Sequence, residues 1–163
     1  MQPRPGGAAD LVTPLSGFRM KLIACAVAAC LDEWQDLVRM DPASRWHARL
    51  RGTAGHDVWL ESWLPGQGAG WHDHGASAGV MVVVRGELEE RVPLLGGVVT
   101  QVRRIPEGAA RPLRRRRVHE LSNVSRTPAV SVHVYSPPLE ATRGYEIGAK
   151  GLRRSAWPQV TAN

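Results

Sequence analysis

The amino-acid sequence predicts a mainly β fold, a small barrel or jelly roll preceded by one or two N-terminal helices. Two observations carry that expectation. One helical stretch comes first, at about 18–40, and from about Arg45 onward strand signals dominate. The strand runs are short and punctuated by Gly and Pro, the pattern of antiparallel sheets that close or fold over on themselves.

The elements follow in order. Residues 1–16 are rich in Gly, Pro and Ala and read as a loose arm. An Ala-rich amphipathic helix is expected from about 18 to Met40, where Asp41-Pro42 stops it, because a residue before proline is biased away from helical dihedrals. Residues 58–64 read as a strand ended by Pro65-Gly66, and 80–84 as a second ended by Arg85-Gly86-Glu87. The stretches 88–92, 98–104 and 116–121 continue the series. Residues 129–135 read as a central strand that stops at Ser136-Pro137-Pro138, and 144–147 with 152–157 as a last hairpin. A Ser-Pro-Pro run directly after a strand calls for a tight reversal, so a cis bond is expected between Ser136 and Pro137.

A chain of 163 residues is expected to form one domain over 17–163, with the barrel at about 45–157. An apolar content of 43% fits a soluble globular protein. The charge of +6 and pI of about 10.3 permit acidic partners without requiring one. The dense basic run Arg114, Arg115, Arg116 and Arg117 has no interleaved aromatic residues to stack bases, so it reads as a solvated edge and no nucleic-acid partner is expected. Cys25 and Cys30 lie five apart in the helical stretch, poor geometry for a disulfide or a metal pair. Residues 22–30, after Arg19 and Lys21, look a little like a signal peptide ending in a lipid-acceptor cysteine. The apolar part is short, and Asp10 lies in what would be the basic leader, which favours the helix. No stretch reaches the ~18 apolar residues of a membrane span. The expectation is a cytoplasmic monomer with no membrane partner.

Three histidines carry most of the functional signal. His72 and His74 follow the Gly-rich turn Gly66-Gln67-Gly68-Ala69-Gly70, and on a strand residues i and i+2 point to the same face. Both imidazoles can therefore hold one metal ion from one side, and His119, from a distant segment, can complete a facial three-nitrogen site. Neutral imidazole suits iron, zinc, copper and nickel alike. Structural sites usually close four ligands and often use Cys, which this pattern does not, so the site reads as catalytic. No Gly-x-Gly-x-x-Gly phosphate cradle follows a strand, and no Gly-x-Ser-x-Gly elbow is present. Ser131, His133 and Tyr135 alternate on one strand, and a hydrogen-bond chain through them would aim the phenol at the metal.

These motifs resemble the cupin superfamily, whose fold is a small jelly-roll barrel. Gly66, His72, His74 and Gly86 match its first motif, with Gly79 at the position of the usual Glu. Gly108, His119 and Asn123 match its second, with Arg114 at the position of the usual Pro. Three histidines without the Glu resemble the thiol dioxygenase branch. The segment Ser131-Val132-His133-Val134-Tyr135-Ser136-Pro137-Pro138 is similar to one in cysteine dioxygenases, and Arg45-Trp46-His47-Ala48-Arg49-Leu50 resembles that family's substrate-arginine segment. The likeness spans roughly 34–140.

The resemblance implies iron(II) at His72, His74 and His119, L-cysteine and dioxygen as substrates, and cysteine sulfinic acid as product. It implies catalytic roles for Tyr135, His133 and Ser131, and a carboxylate clamp at Arg49 aided by His47, with Arg51 one register step away as the competing choice. Met81 shares a strand face with Gly79 and Val83 and is expected to line the substrate. Many animal members crosslink the tyrosine to a cysteine at the position of Gly79, which this chain cannot do. Trp59, Trp63 and Trp71 read as core or rim. The alternatives are a dioxygenase for another small thiol such as 3-mercaptopropionate, or a non-catalytic metal-binding cupin.

Overall fold

The computed structural model describes residues 13–94 and 99–155. The bulk of the expected arm, at 1–12, and Trp157 of the expected last strand lie outside them.

Helix α1 spans Gly17–Ala29, capped by the Ser16 hydroxyl accepting from the Arg19 N–H at 3.3 Å. It does not run to Met40. After Cys30 two 3₁₀ turns, Leu31–Glu33 and Gln35–Leu37, fold the chain back. The cause is Trp34, whose ring is fully buried and whose indole N–H donates at 3.0 Å to the Val27 carbonyl, which also accepts the Cys30 N–H at 3.1 Å. Met20, Ala24 and Val27, spaced by one and two turns, form the buried stripe of α1. No helix among the described residues is long and apolar enough to cross a membrane.

Among the described residues eleven strands follow: β1 Trp46–Gly52, β2 Asp57–Trp63, β3 Trp71–Asp73, β4 Ala78–Arg85, β5 Glu87–Leu94, β6 Val99–Pro106, β7 Ala110–Leu113, β8 Glu120–Ser122, β9 Ala129–Ser136, β10 Arg143–Gly148 and β11 Gly151–Arg154. One sheet runs β1-β2-β9-β4-β7, a second β6-β5-β8 and a third β11-β10-β3. The strand expected at 116–121 is shorter and later, because residues 114–117 form a turn closed by Arg117 N–H to Arg114 O at 3.3 Å. The hairpin expected at the C-terminal end forms, with Tyr145 opposite Arg154 and Gly148 opposite Gly151.

Alternation on the central strands divides the interior into two layers. Val130, Val132 and Val134 of β9 join Val58 and Leu60 of β2 and Val80 and Val82 of β4 against α1 and Trp34. The intervening residues face the barrel interior, where Trp59, Trp63, Met81, Val83 and Tyr135 pack with Leu88, Ile105, Leu113 and Leu121. All eight residues of β9 are buried for this reason, since both its faces are covered. Ser131, His133 and Tyr135 thereby enter the barrel on the face opposite the valines.

Candidate metal centre

β3 presents His72, and His74 follows the strand directly. His119 is held opposite His72 by a reciprocal backbone pair, His72 N–H to His119 O at 2.8 Å and His119 N–H to His72 O at 2.9 Å. The ligating nitrogens of His72, His74 and His119 lie within 4.8 Å of one another, and all three residues are buried. His72 Nδ1 faces the Gly70 carbonyl at 2.9 Å, and His119 Nδ1 faces the Glu90 carboxylate at 3.1 Å. Both acceptors require a proton on Nδ1, which leaves the Nε2 lone pairs free. His119 Nε2 is buried and has no hydrogen-bond partner among the described residues. Burial, then the neighbouring His119, lowers the His72 pKa to about 3, and burial lowers His74 well below its ordinary value. The set is therefore three imidazoles, two of them held neutral by burial, with an orphaned nitrogen among them, which fits a divalent transition metal and lacks any carboxylate ligand.

Beside the cluster runs a chain of side chains from β9. The Trp63 indole N–H donates to Ser131 Oγ at 2.9 Å, Ser131 Oγ lies 2.9 Å from His133 Nε2, and His133 Nδ1 lies 3.2 Å from the Tyr135 hydroxyl. That hydroxyl also lies 3.3 Å from His74 Nε2, at the edge of the metal cluster. The Ser136–Pro137 bond that follows is cis. Burial, then the Glu61 charge, raises the Tyr135 phenol well above its ordinary range, so it is protonated at neutral pH. Burial lowers His133, which is therefore neutral.

Two carboxylates outside the expected site residues, Glu61 and Glu90, support the histidines. Glu61 of β2 stands 3.7 Å from His133 Nε2 and is ion-paired with Arg45, whose guanidinium lies 4.7 Å from the centre of the Trp63 ring. Burial pushes the Glu61 carboxyl up, but Arg45, with His133 and His47, holds it below the ordinary carboxylate value. A signal for Glu61 was present: it is a lone carboxylate inside the otherwise apolar run Val58-Trp59-Leu60-Glu61-Ser62-Trp63. Glu90, which fixes His119, sits in an acidic and basic run with nothing to mark it.

A cavity of about 70 Å³ joins these groups, and the residues lining it include Arg45, His47, Glu61, His72, His74 and Tyr135. Arg49 and Met81 are not among the described residues that line it. Arg49 is turned to Asp57, Nε to Oδ2 3.7 Å, its guanidinium filling the space that a side chain on Gly52 would need. The β1–β2 register shifts between Arg49 and Arg51, so Arg51 points elsewhere and pairs with Glu33 of the first 3₁₀ turn. Met81, directly opposite His133 in the register, is wholly buried in the interior layer.

A barrel of this topology with a histidine cluster inside it is a metal-binding cupin. The model of the family cysteine dioxygenase type I matches residues 19–147, and the chain belongs to that family. Together the family and the histidine cluster define a metal-dependent dioxygenase. Among solved structures, the chain is similar to the TT1209 protein of Thermus thermophilus, at 24% identity and a TM-score of 0.56, covering 64% of this chain and 93% of that one. It is also similar to a Klebsiella pneumoniae protein with a double-stranded β-helix domain, at 20% identity and a TM-score of 0.56, covering 76% and 94%. An oxalate oxidase bound to the substrate analogue glycolate matches at 20% identity and a TM-score of 0.51, covering 58% of this chain and 52% of that one. These likenesses describe the fold.

Proposed function

We propose that the protein is an iron(II)-dependent thiol dioxygenase that adds both atoms of dioxygen to the sulfur of L-cysteine, giving cysteine sulfinic acid. The observation that carries this reading is the juxtaposition of three buried imidazoles, with no carboxylate ligand, and the protonated Tyr135 hydroxyl 3.3 Å from His74. Iron(II) held by His72, His74 and His119 would keep its full +2 charge, lower the pKa of a thiol bound to it and bring that sulfur together with dioxygen.

The chain's own residues bind, orient and manage protons. Glu61 beside His133 Nε2 favours a proton on that nitrogen, which leaves Nδ1 to accept from the Tyr135 hydroxyl. Tyr135 is then held with its oxygen at the edge of the metal cluster, where it orients substrate and dioxygen. The barrel wall formed by Trp59, Trp63 and Leu121 excludes water from this corner. Arg45, just before β1, and His47 and Arg49 on the face of β1 that lies beside Glu61 and Trp59 alternate, a ladder of groups able to meet a carboxylate on its way in. Arg49 stands at the outer end of the ladder and is proposed as the clamp that closes on bound substrate, with Arg45 and His47 inside. A pocket that presents Glu61 as well as Arg45 suits a thiol carrying both an ammonium and a carboxylate, which favours cysteine over 3-mercaptopropionate.

The test is anaerobic loading with iron(II), followed by oxygen uptake with a panel of small thiols and mass analysis of products made under isotopically labelled dioxygen. Cysteine should give the strongest uptake, with both added oxygens labelled. Uptake with no thiol, or a product carrying one labelled oxygen, would refute the assignment.

A further inference from the structure

A second cavity, of about 130 Å³, touches the histidine cluster at His74 and His119 and shares only His74 with the first. Arg103 of β6, Arg111 of β7, and Arg114 and Arg117 from the turn after β7 converge on it, against the single carboxylate of Glu90. Glu90 is already engaged twice, by Arg111 Nε at 2.5 Å and by His119 Nδ1 at 3.1 Å. Among the described residues no carboxylate lies within ion-pair distance of Arg103, Arg114 or Arg117; Arg103 donates to the neutral Gln101 side chain at 3.0 Å. The turn itself sorts the basic run. Its closing hydrogen bond joins Arg114 and Arg117, and Arg116 takes φ 52°, a left-handed conformation that turns of this kind normally give to Gly or Asn. All four arginines of the run are exposed, but Arg114 and Arg117 line the cavity and Arg115 and Arg116 do not.

Three guanidiniums without a carboxylate partner around one concavity raise the local positive potential, and guanidinium forks match tetrahedral oxyanions by paired hydrogen bonds. The cavity holds the volume of about four waters, which suits one such ion and excludes a polynucleotide strand. We propose that this cavity binds a small, multiply charged oxyanion of the phosphate class. The site stands independently of the thiol chemistry. It meets the metal centre through Glu90, which Arg111 and His119 share.

The experiment titrates inorganic phosphate into the metal-loaded full chain by calorimetry, with ionic strength held constant by sodium chloride. R114Q/R117Q and R115Q/R116Q remove equal charge from the same turn. Binding should weaken at least tenfold in R114Q/R117Q and in R103Q, and stay within about twofold of the parent in R115Q/R116Q, with all variants folded by circular dichroism. Equal losses in the two double variants would assign the effect to a diffuse basic surface and overturn the site. Unchanged binding in R114Q/R117Q would place the phosphate elsewhere, on the metal included, and overturn it equally. So would absence of binding by the parent protein, or duplex DNA bound with equal loss in both pairs.

Discussion

Tyr135 lies across Gly79: a Cβ placed on Gly79 would stand 2.8 Å from Tyr135 Cδ1 and 2.9 Å from the Val134 carbonyl oxygen. The two residues face each other directly in the β4–β9 register. Gly79→Ala should therefore push the phenol off its contacts with His74 and His133. Overpacking of this kind costs about 1–3 kcal/mol. Denaturant unfolding should show that loss and turnover should fall, while metal content stays near that of the parent. A variant with parental stability and turnover would mean the ring can move aside freely.

Tyr135→Phe should retain metal and substrate binding but lose most turnover. The hydroxyl is not a ligand in this reading, and a group that acts mainly in the transition state lowers kcat more than it raises KM. Because Gly79 offers no thiol, intact mass should show an unmodified Tyr135 throughout turnover. Unchanged kcat would reduce the Ser131–His133–Tyr135 chain to a core network.

His72→Ala, His74→Ala and His119→Ala should each abolish oxygen uptake and reduce bound metal, as measured by elemental analysis. Glu90→Gln should weaken metal binding by roughly ten- to a hundredfold, because the carboxylate fixes the tautomer and orientation of His119. Metal affinity unchanged in Glu90→Gln would show that the His72–His119 backbone pair alone suffices to place the ligand.

Arg49→Gln and Arg45→Gln should each impair L-cysteine more than cysteamine, which lacks the carboxylate. Loss of a charged contact at the clamp costs on the order of 2–5 kcal/mol. Arg51→Gln, removed from the pocket by its pairing with Glu33, should leave the ratio of the two thiols unchanged. Equal effects of Arg49→Gln on both thiols would exclude it as the clamp.

The metal-free protein should lose stability as pH falls below neutrality. His72 titrates at about 3 in the folded chain against an ordinary 6.5, chiefly through burial and then the charge of His119. Between those values the unfolded chain binds protons that the folded chain refuses, so stability drops as pH falls through that window. His74 and His133 act in the same direction. Glu90 and Glu61, held low by their cationic neighbours against the cost of burial, extend the loss below 4.5, while Asp57 and Glu120, raised by burial, oppose it just above their ordinary values of 3.8 and 4.5. Thermal unfolding of the chelated protein from about pH 7 to about pH 4 should show the decline. A flat midpoint across that range would contradict it.

The β character, the succession of strands and the histidine cluster are legible in the sequence because each rests on local pattern. Alternation marks strands, and His72 and His74 share a face by their spacing alone. The end of the helix is not legible because the stop is tertiary: Trp34 turns back to the Val27 carbonyl, and nothing local announces it. Residues 116–121 have β-branched and apolar members, but the left-handed Arg116 breaks the strand, and no Gly marks that position. The different directions of Arg49 and Arg51 depend on the register shift of β1 against β2 between them, which spacing along one strand cannot reveal.

β9 has no spare surface: one face seats the helix and the other carries the site. β1 is the outer strand of the same sheet, and its residues alternate between half-buried and exposed. Innovation in this scaffold is therefore unevenly distributed. A lineage, or an engineer, seeking a new substrate can redraw the exposed positions 47 and 49 with less threat to folding, whereas any change along 129–136 puts foldability and chemistry at risk together.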